Sequence, residues 1–267
     1  MDGIIFEQDP ESLAAVCIIE YFSDALKDQI RQNLTSVCQG VSRGESGKTV
    51  YSYANTLKEF MVRYDDKKEE HRKGMIGELL AHIIFINYFD YFKTVSPLFN
   101  LEERNIKKGF DVLLYHATDR EIFYAEVKSG ELGNNKSSDD KNIKLLGNAL
   151  SDIRDKFNKP NDNNWINSLN GAIIALNNKN IKKEVENILE DCLQTSQEKK
   201  CQSIDKNAIL VSVAYNTLSD KISLSRVNKY SGKVKNRNLL KNIICFSIQK
   251  KAYKQAEDFL RQEARNG

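Results

Sequence analysis

At 267 residues, 40% of them apolar, the chain suits one large domain or a core with an added lobe, and 3 prolines and 13 glycines argue against a chain of linkers. No apolar run approaches the ~18–20 residues of a membrane span. The acidic start MDGIIFEQDPE lacks a signal-peptide pattern, and five scattered cysteines without a C-x-x-C pair argue against a zinc ribbon or a disulfide framework. The net charge of +3 is unevenly spread: from Lys221 onward 12 Lys/Arg face 3 Asp/Glu on an otherwise acidic body, which points to a polyanion or an acidic partner. A cytoplasmic protein with no membrane partner is expected.

In chain order, LAAVCIIEYF reads as a buried strand or a short buried helix, since an apolar run of that length fits both. DALKDQIRQNL reads as a helix and GVSRGESGKT as a loop. That loop holds half of a phosphate-binding pattern, Gly44 to Thr49, but Ser42 stands where the full pattern needs glycine, and NLTSVCQ before it is a poor strand. YSYANTLKEFMVRY has Tyr53, Leu57, Phe60, Met61 and Tyr64 at helical spacing. After the charged DDKKEEHRK, GMIGELLAHIIFINYF is a helix apolar on more than one face, yet it carries Glu78 in a narrow polar stripe with Gly77 and His82. A carboxylate there needs a partner, a metal or solvent. KTVSPLFNLEERN should hold a short edge strand, given Pro97.

FDVLLYHA and IFYAEVK follow, two β-rich runs joined by turn chemistry at Ala117–Glu121, with Lys108 leading in. Alternation puts Tyr124, Glu126 and Lys128 on one face and Phe123, Ala125 and Val127 on the other, which can bury. ELGNNKSSDDKN is a polar loop beside that hairpin. IKLLGNALSDIRDKFNK is an amphipathic helix with Leu145, Leu146, Ala149, Leu150, Ile153 and Phe157 on its apolar side, ended by PNDNN. Two more helices, WINSLNGAIIALNN and IKKEVENILEDCLQ, precede the buried central strand NAILVSVAYNT. ISLSRVNKY and IICFSIQK read as weaker strands separated by the basic stretch SGKVKNRNLLK, and AYKQAEDFLRQEAR closes as a helix. The order gives a mixed α/β sheet flanked by helices.

Three carboxylates come from three elements: Glu78, Asp111 and Glu126. Oxygen donors without a nearby Cys or His cluster suit magnesium or manganese rather than zinc. Asp111 and Glu126 should share a metal with the Val127 carbonyl as a further oxygen, and Glu78 should approach from its helix. Lys128 adds a cation that can orient or deprotonate a water or offset phosphate charge. Such a set predicts phosphodiester hydrolysis. The plainer alternative is a surface salt bridge between Glu126 and Lys128.

GMIGELLAHIIFINYF, KKGFDVLLYH and FYAEVKSGE together resemble the PD-(D/E)xK nuclease superfamily, and more narrowly the HamA-type nuclease subunit of the Hachiman anti-phage defence system. The resemblance is strongest from Tyr53 to Gly130 and looser to Tyr215; Phe110, not proline, precedes Asp111. It implies a restriction-endonuclease-like core over residues 71–267 with an N-terminal extension over 1–70. It implies Glu78, Asp111, Glu126 and Lys128 as catalytic residues, DNA as substrate and a helicase partner. The densest basic cluster, Lys229, Lys233, Lys235, Arg237 and Lys241, is the candidate DNA-binding or partner-binding surface. The competing functions are a non-catalytic DNA-binding or scaffold subunit and a nucleotide-binding regulator using GESGKT.

Overall fold

The computed structural model describes residues 1–9, 11, 14–99, 109–133, 136–159, 161–251 and 253–266. Leu13, Lys108 and Pro160, which the sequence reading used, lie outside them, as does residue 100–108 of the segment after the expected edge strand. In chain order the elements are β1 (Ile4–Asp9), β2 (Ala14–Ile19), α1 (Asp24–Gln39), α2 (Val41–Gly44), α3 (Tyr53–Asp65), α4 (Glu69–Tyr88) and β3 (Phe92–Thr94). Next come β4 (Val112–His116), β5 (Glu121–Glu131), α5 (Ser138–Asn158), α6 (Asp162–Ala175) and α7 (Lys179–Gln197). The last are β6 (Asn207–Tyr215), α8 (Leu224–Lys235), β7 (Asn242–Lys250) and α9 (Lys254–Asn266).

Among the described residues the strands form one seven-stranded sheet in the order β1-β2-β7-β6-β5-β4-β3. Its centre, β2, β7, β6 and β5, is parallel; β1, β4 and β3 add antiparallel edges. Parallel strands require crossover connections, and helices supply them on both faces. On one face lie α1, α3, α4 and α9, burying Ile30, Phe60, Leu80 and Leu260 against Ala125, Val127 and Val213. On the other lie α5 to α8, burying Leu146, Ile153, Trp165 and Val227 against Leu113, Tyr124 and Leu210. Both faces of β5 are therefore buried, not only the Phe123–Ala125–Val127 face. Tyr124 sits edge-on to Phe157 and Trp165, with ring centroids 5.2 and 5.6 Å away.

The ambiguous run near the N-terminus is strand β2, paired to β7, and its six residues are all buried. The expected loop over Gly40–Thr49 contains the single turn α2 and is preceded by helix α1, not by the strand that a phosphate-binding loop needs. One expectation is corrected. ISLSRVNKY and the basic stretch after it are not a strand and a loop: residues Leu224–Lys235 form helix α8. Ser223 caps it by accepting from the Arg226 N–H, and Val227, Ser231 and Val234 recur at helical spacing on its buried side. The serines and basic residues between those apolar positions hid the period.

Candidate active site on the β4–β5 hairpin

The turn Ala117–Arg120 joins β4 to β5, with Arg120 at φ 57° and its N–H donating to the His116 carbonyl at 2.9 Å. The register pairs Val112 with Ala125, which sets Asp111 opposite Glu126 at the mouth of the ladder. The Asp111 carboxylate accepts from the Val127 N–H at 2.7 Å. The N–H and C=O of a strand residue point to the same neighbour, so the Val127 carbonyl also faces the Asp111 edge of β5.

Glu126 is 1% exposed and holds two ammonium groups: Lys128 Nζ at 2.8 Å and Lys156 Nζ at 2.5 Å. Lys156 also reaches Asp111 at 3.7 Å, so it stands between the two carboxylates. Lys128 reaches on to Asp152 at 2.7 Å. Asp152 and Lys156, one helical turn apart on α5, were not anticipated. They flank the apolar stripe of that helix, and only the packing of α5 along β5 turns their edge toward the hairpin. The helix itself is well specified: Ser137 accepts from the Asp140 N–H at 3.1 Å, Asp139 and Asp140 complement the positive end, and Lys156 lies in the last turn.

Burial, and then the charge of Asp111, push the Glu126 carboxyl above its ordinary range, and Lys156 and Lys128 oppose that shift. Burial works against the charge on Lys128, but Glu126, Asp152 and Asp111 outweigh it and hold the ammonium above the ordinary lysine range. Lys156 follows the same pattern: burial lowers it, and Asp111 and Glu126 more than compensate. Three carboxylates against two ammonium groups leave one negative charge for the cluster to balance. The Glu126–Lys128 pair therefore exists, but its acid is buried and shared, unlike the exposed pair weighed from the sequence.

Glu78 is half-buried on α4, in the layer over the opposite face of the sheet from Glu126. Its neighbour Gly77 brings α4 against Ser129 of β5, and a Cβ at Gly77 would overlap the Ser129 hydroxyl. His82, one turn further on, is fully buried. Lys229, Lys233, Lys235 and Arg237 lie exposed along and just past α8. Lys241 is apart from them, ion-paired with Glu121.

A divalent ion fits the donor set. Asp111, Glu126 and the Val127 carbonyl offer oxygen only, and magnesium commonly takes one or two carboxylates and keeps waters for the rest. Among the described residues no group of three or more His, Cys, Asp and Glu side chains is gathered for a metal, so Glu78 is not brought to Asp111 and Glu126, and both Glu126 oxygens are held by lysines. No helix among the described residues is long and apolar enough to cross a membrane.

No curated protein matches the chain. The HamA family model matches residues 4–263, which takes in every strand of the sheet and the whole carboxylate–lysine cluster; the chain belongs to the HamA family, the subunit family of Hachiman anti-phage defence.

Proposed function

We propose that the protein is the metal-dependent deoxyribonuclease of its defence system, cutting DNA phosphodiesters at Asp111, Glu126 and Lys128. One observation carries the reading: Asp111, just before β4, stands opposite Glu126 of the antiparallel strand β5, and Lys128 follows on the same face, its ammonium on the Glu126 carboxylate. Asp111, Glu126 and the Val127 carbonyl would hold magnesium or manganese. A bound divalent ion supplies Lewis-acid stabilisation of the phosphoryl oxygens and a more acidic water. Lys128, beside Glu126, offsets charge developing on the phosphate or orients the attacking water. Lys156, whose ammonium stands between the two carboxylates, would give up that place to the ion and remain beside it as a neighbouring positive charge. Glu78 lies in the opposite layer, next to the point where Gly77 meets β5, and is not gathered with Asp111 and Glu126.

DNA is the proposed substrate, and a helicase subunit is the proposed partner. The family supports a place in a multi-subunit defence system. The helicase is inferred from the family resemblance, and the GESGKT segment, which follows a helix, does not read as a motor loop of this chain's own. A non-catalytic scaffold is the competing reading, favoured by the double ion pairing that already occupies Glu126. The test is direct. Pure protein is incubated with plasmid and with short single- and double-stranded oligonucleotides, with and without magnesium or manganese. Metal-dependent cleavage that disappears in well-folded Glu126→Gln and Lys128→Ala variants supports the nuclease; wild-type binding without cleavage under every condition, partner included, supports the scaffold.

A further inference from the structure

Glu126, Lys128 and Gly130 alternate along one face of β5, the face that α5 covers. At Gly130 the missing side chain is replaced by a cation from α5. A Cβ there would lie 2.8 Å from Lys141 Nζ and 3.1 Å from its Cε. Helix α5 runs back along β5, and Lys141, Asp152 and Lys156 are about three and about four whole turns apart, so they share the side that faces the strand. One edge of one helix thus lays Lys156 at Glu126, Asp152 at Lys128 and Lys141 over Gly130.

The three lysines of this row differ in one respect. Lys128 and Lys156 are bound to carboxylates. The Lys141 ammonium makes no ion pair or side-chain hydrogen bond among the described residues. It is half-buried, and its surroundings are positive. Burial, then Lys144, Lys136 and Lys73, hold its pKa below the ordinary lysine range. Glu131 opposes them, but that carboxylate is already engaged by Lys73 at 3.0 Å. Amines from α4, from the residues before α5 and from α5 itself therefore converge; Lys73 is balanced by Glu69 and Glu131, but among the described residues Lys136, Lys141 and Lys144 have no carboxylate on them. An anion bound on the open side of the Lys141 ammonium would balance them.

We propose that Lys141, with Lys136 and Lys144 beside it, binds the backbone phosphate that neighbours the reacting one on the same DNA strand. The proposal rests on the nuclease reading for the identity of the anion. Two strand residues separate Lys128 from Gly130, roughly 6.6 Å, which is close to the step between successive phosphates of a nucleotide chain. A lysine is suited to this task because it binds phosphate as a point charge, without demanding one orientation. Gly130 keeps the approach open: any side chain there would press on the ammonium. The phosphate contact fixes the strand so that the next linkage falls at Asp111, Glu126 and Lys128.

The experiment measures binding separately from cutting. A fluorescent oligonucleotide is titrated with the full chain in the absence of divalent metal, at several salt concentrations. Wild type, Lys141→Ala and Lys141→Arg are compared, with melting curves to confirm folding. Lys141→Ala should weaken binding roughly fivefold and flatten the log–log salt dependence by about 0.7–0.9, one phosphate contact. Lys141→Arg should keep the wild-type slope, because the charge is retained. Unchanged affinity and slope in Lys141→Ala overturn the proposal, and the nuclease reading then still stands if wild type cuts and Lys128→Ala does not. If wild type neither binds nor cuts DNA, both readings fall.

Discussion

Glu126 is an acid taken out of water and returned a hydrogen-bonding shell of two ammonium groups. Its folded-state pKa lies above the unfolded value, so the ionised form costs stability. That cost is absent below the ordinary glutamate range, where both states are protonated, and grows as pH rises through the window up to the raised value. Two neighbours move it in opposite directions. Asp111→Asn removes a negative charge and should lower the Glu126 pKa; Lys156→Met removes a positive one and should raise it further. A carboxyl-carbon NMR titration reads both signs, and the same sign in both variants would refute the electrostatic account. Glu126→Gln is predicted to abolish cleavage without lowering Tm. It leaves Lys128 with Asp152 and Lys156 with Asp111, and it deletes a buried charge whose desolvation rivals its pairing energy. Lys128→Ala should lose cleavage by the same assay while the chain stays folded; wild-type rates in that variant would end the site assignment.

The hairpin and the two helices that clamp it decide how these residues meet. α4 approaches one face of β5 through Gly77, and α5 covers the other through its Leu146–Ile153 stripe. In an exposed helix, Gly77→Ala would gain about 1 kcal/mol of helix propensity. Here the added Cβ overlaps the Ser129 hydroxyl and lies 3.2 Å from Ser129 Cβ, so overpacking of about 1–3 kcal/mol should win. Denaturant unfolding should show net destabilisation, and Ser129→Ala should relieve part of it in a double-mutant cycle. A stabilised Gly77→Ala protein would mean that the close approach is not tight. Helix α8 teaches the same lesson about elements. Val227, Ser231 and Val234 set its period, yet serine and basic residues around them resembled a strand followed by a loop.

Across the molecule the basic C-terminal region from Lys221 onward is largely absorbed by the fold. Lys241 pairs with Glu121, Lys254 with Glu257, and Arg261 with Asp65 and Glu257. Lys250 is fully buried, its ammonium over the Phe22 ring, and burial depresses its pKa to about 8. The α8 group, Lys229, Lys233, Lys235 and Arg237, stays exposed, as do Lys251 and Arg265 apart from it. Arg226, Lys229 and Lys233 line a small cleft with Tyr230 and Ile143 of α5. Gly147 faces Tyr230, and five residues later Asp152 faces Lys128, about 140° around the helix. α5 therefore stands between the α8 cations and the carboxylates. Reversing Lys233, Lys235 and Arg237 to Glu should cost cleavage of a short oligonucleotide no more than about twofold, because screening leaves little field beyond about 10 Å. The same reversal should abolish co-purification with a partner subunit of the defence system. Equal loss of DNA affinity and salt slope would instead make α8 part of the DNA path.

Local chemistry alone determined the hairpin, its turn and the side of the strand that bears Glu126 and Lys128, because a period of two and turn-forming residues are written in consecutive positions. It also determined α3, α4 and α5 and the buried strand β6, whose patterns are long enough to have one reading. The pairing of β2 with β7, the burial of both faces of β5 and the layer in which Glu78 sits were decided by tertiary structure. So were Lys156 between Asp111 and Glu126, Asp152 at Lys128 and Lys141 over Gly130. Each of these depends on which way a helix is rotated when it docks on the sheet. That rotation is set by the sum of many weak apolar contacts made by residues far apart in the chain, and no spacing within a single segment records it.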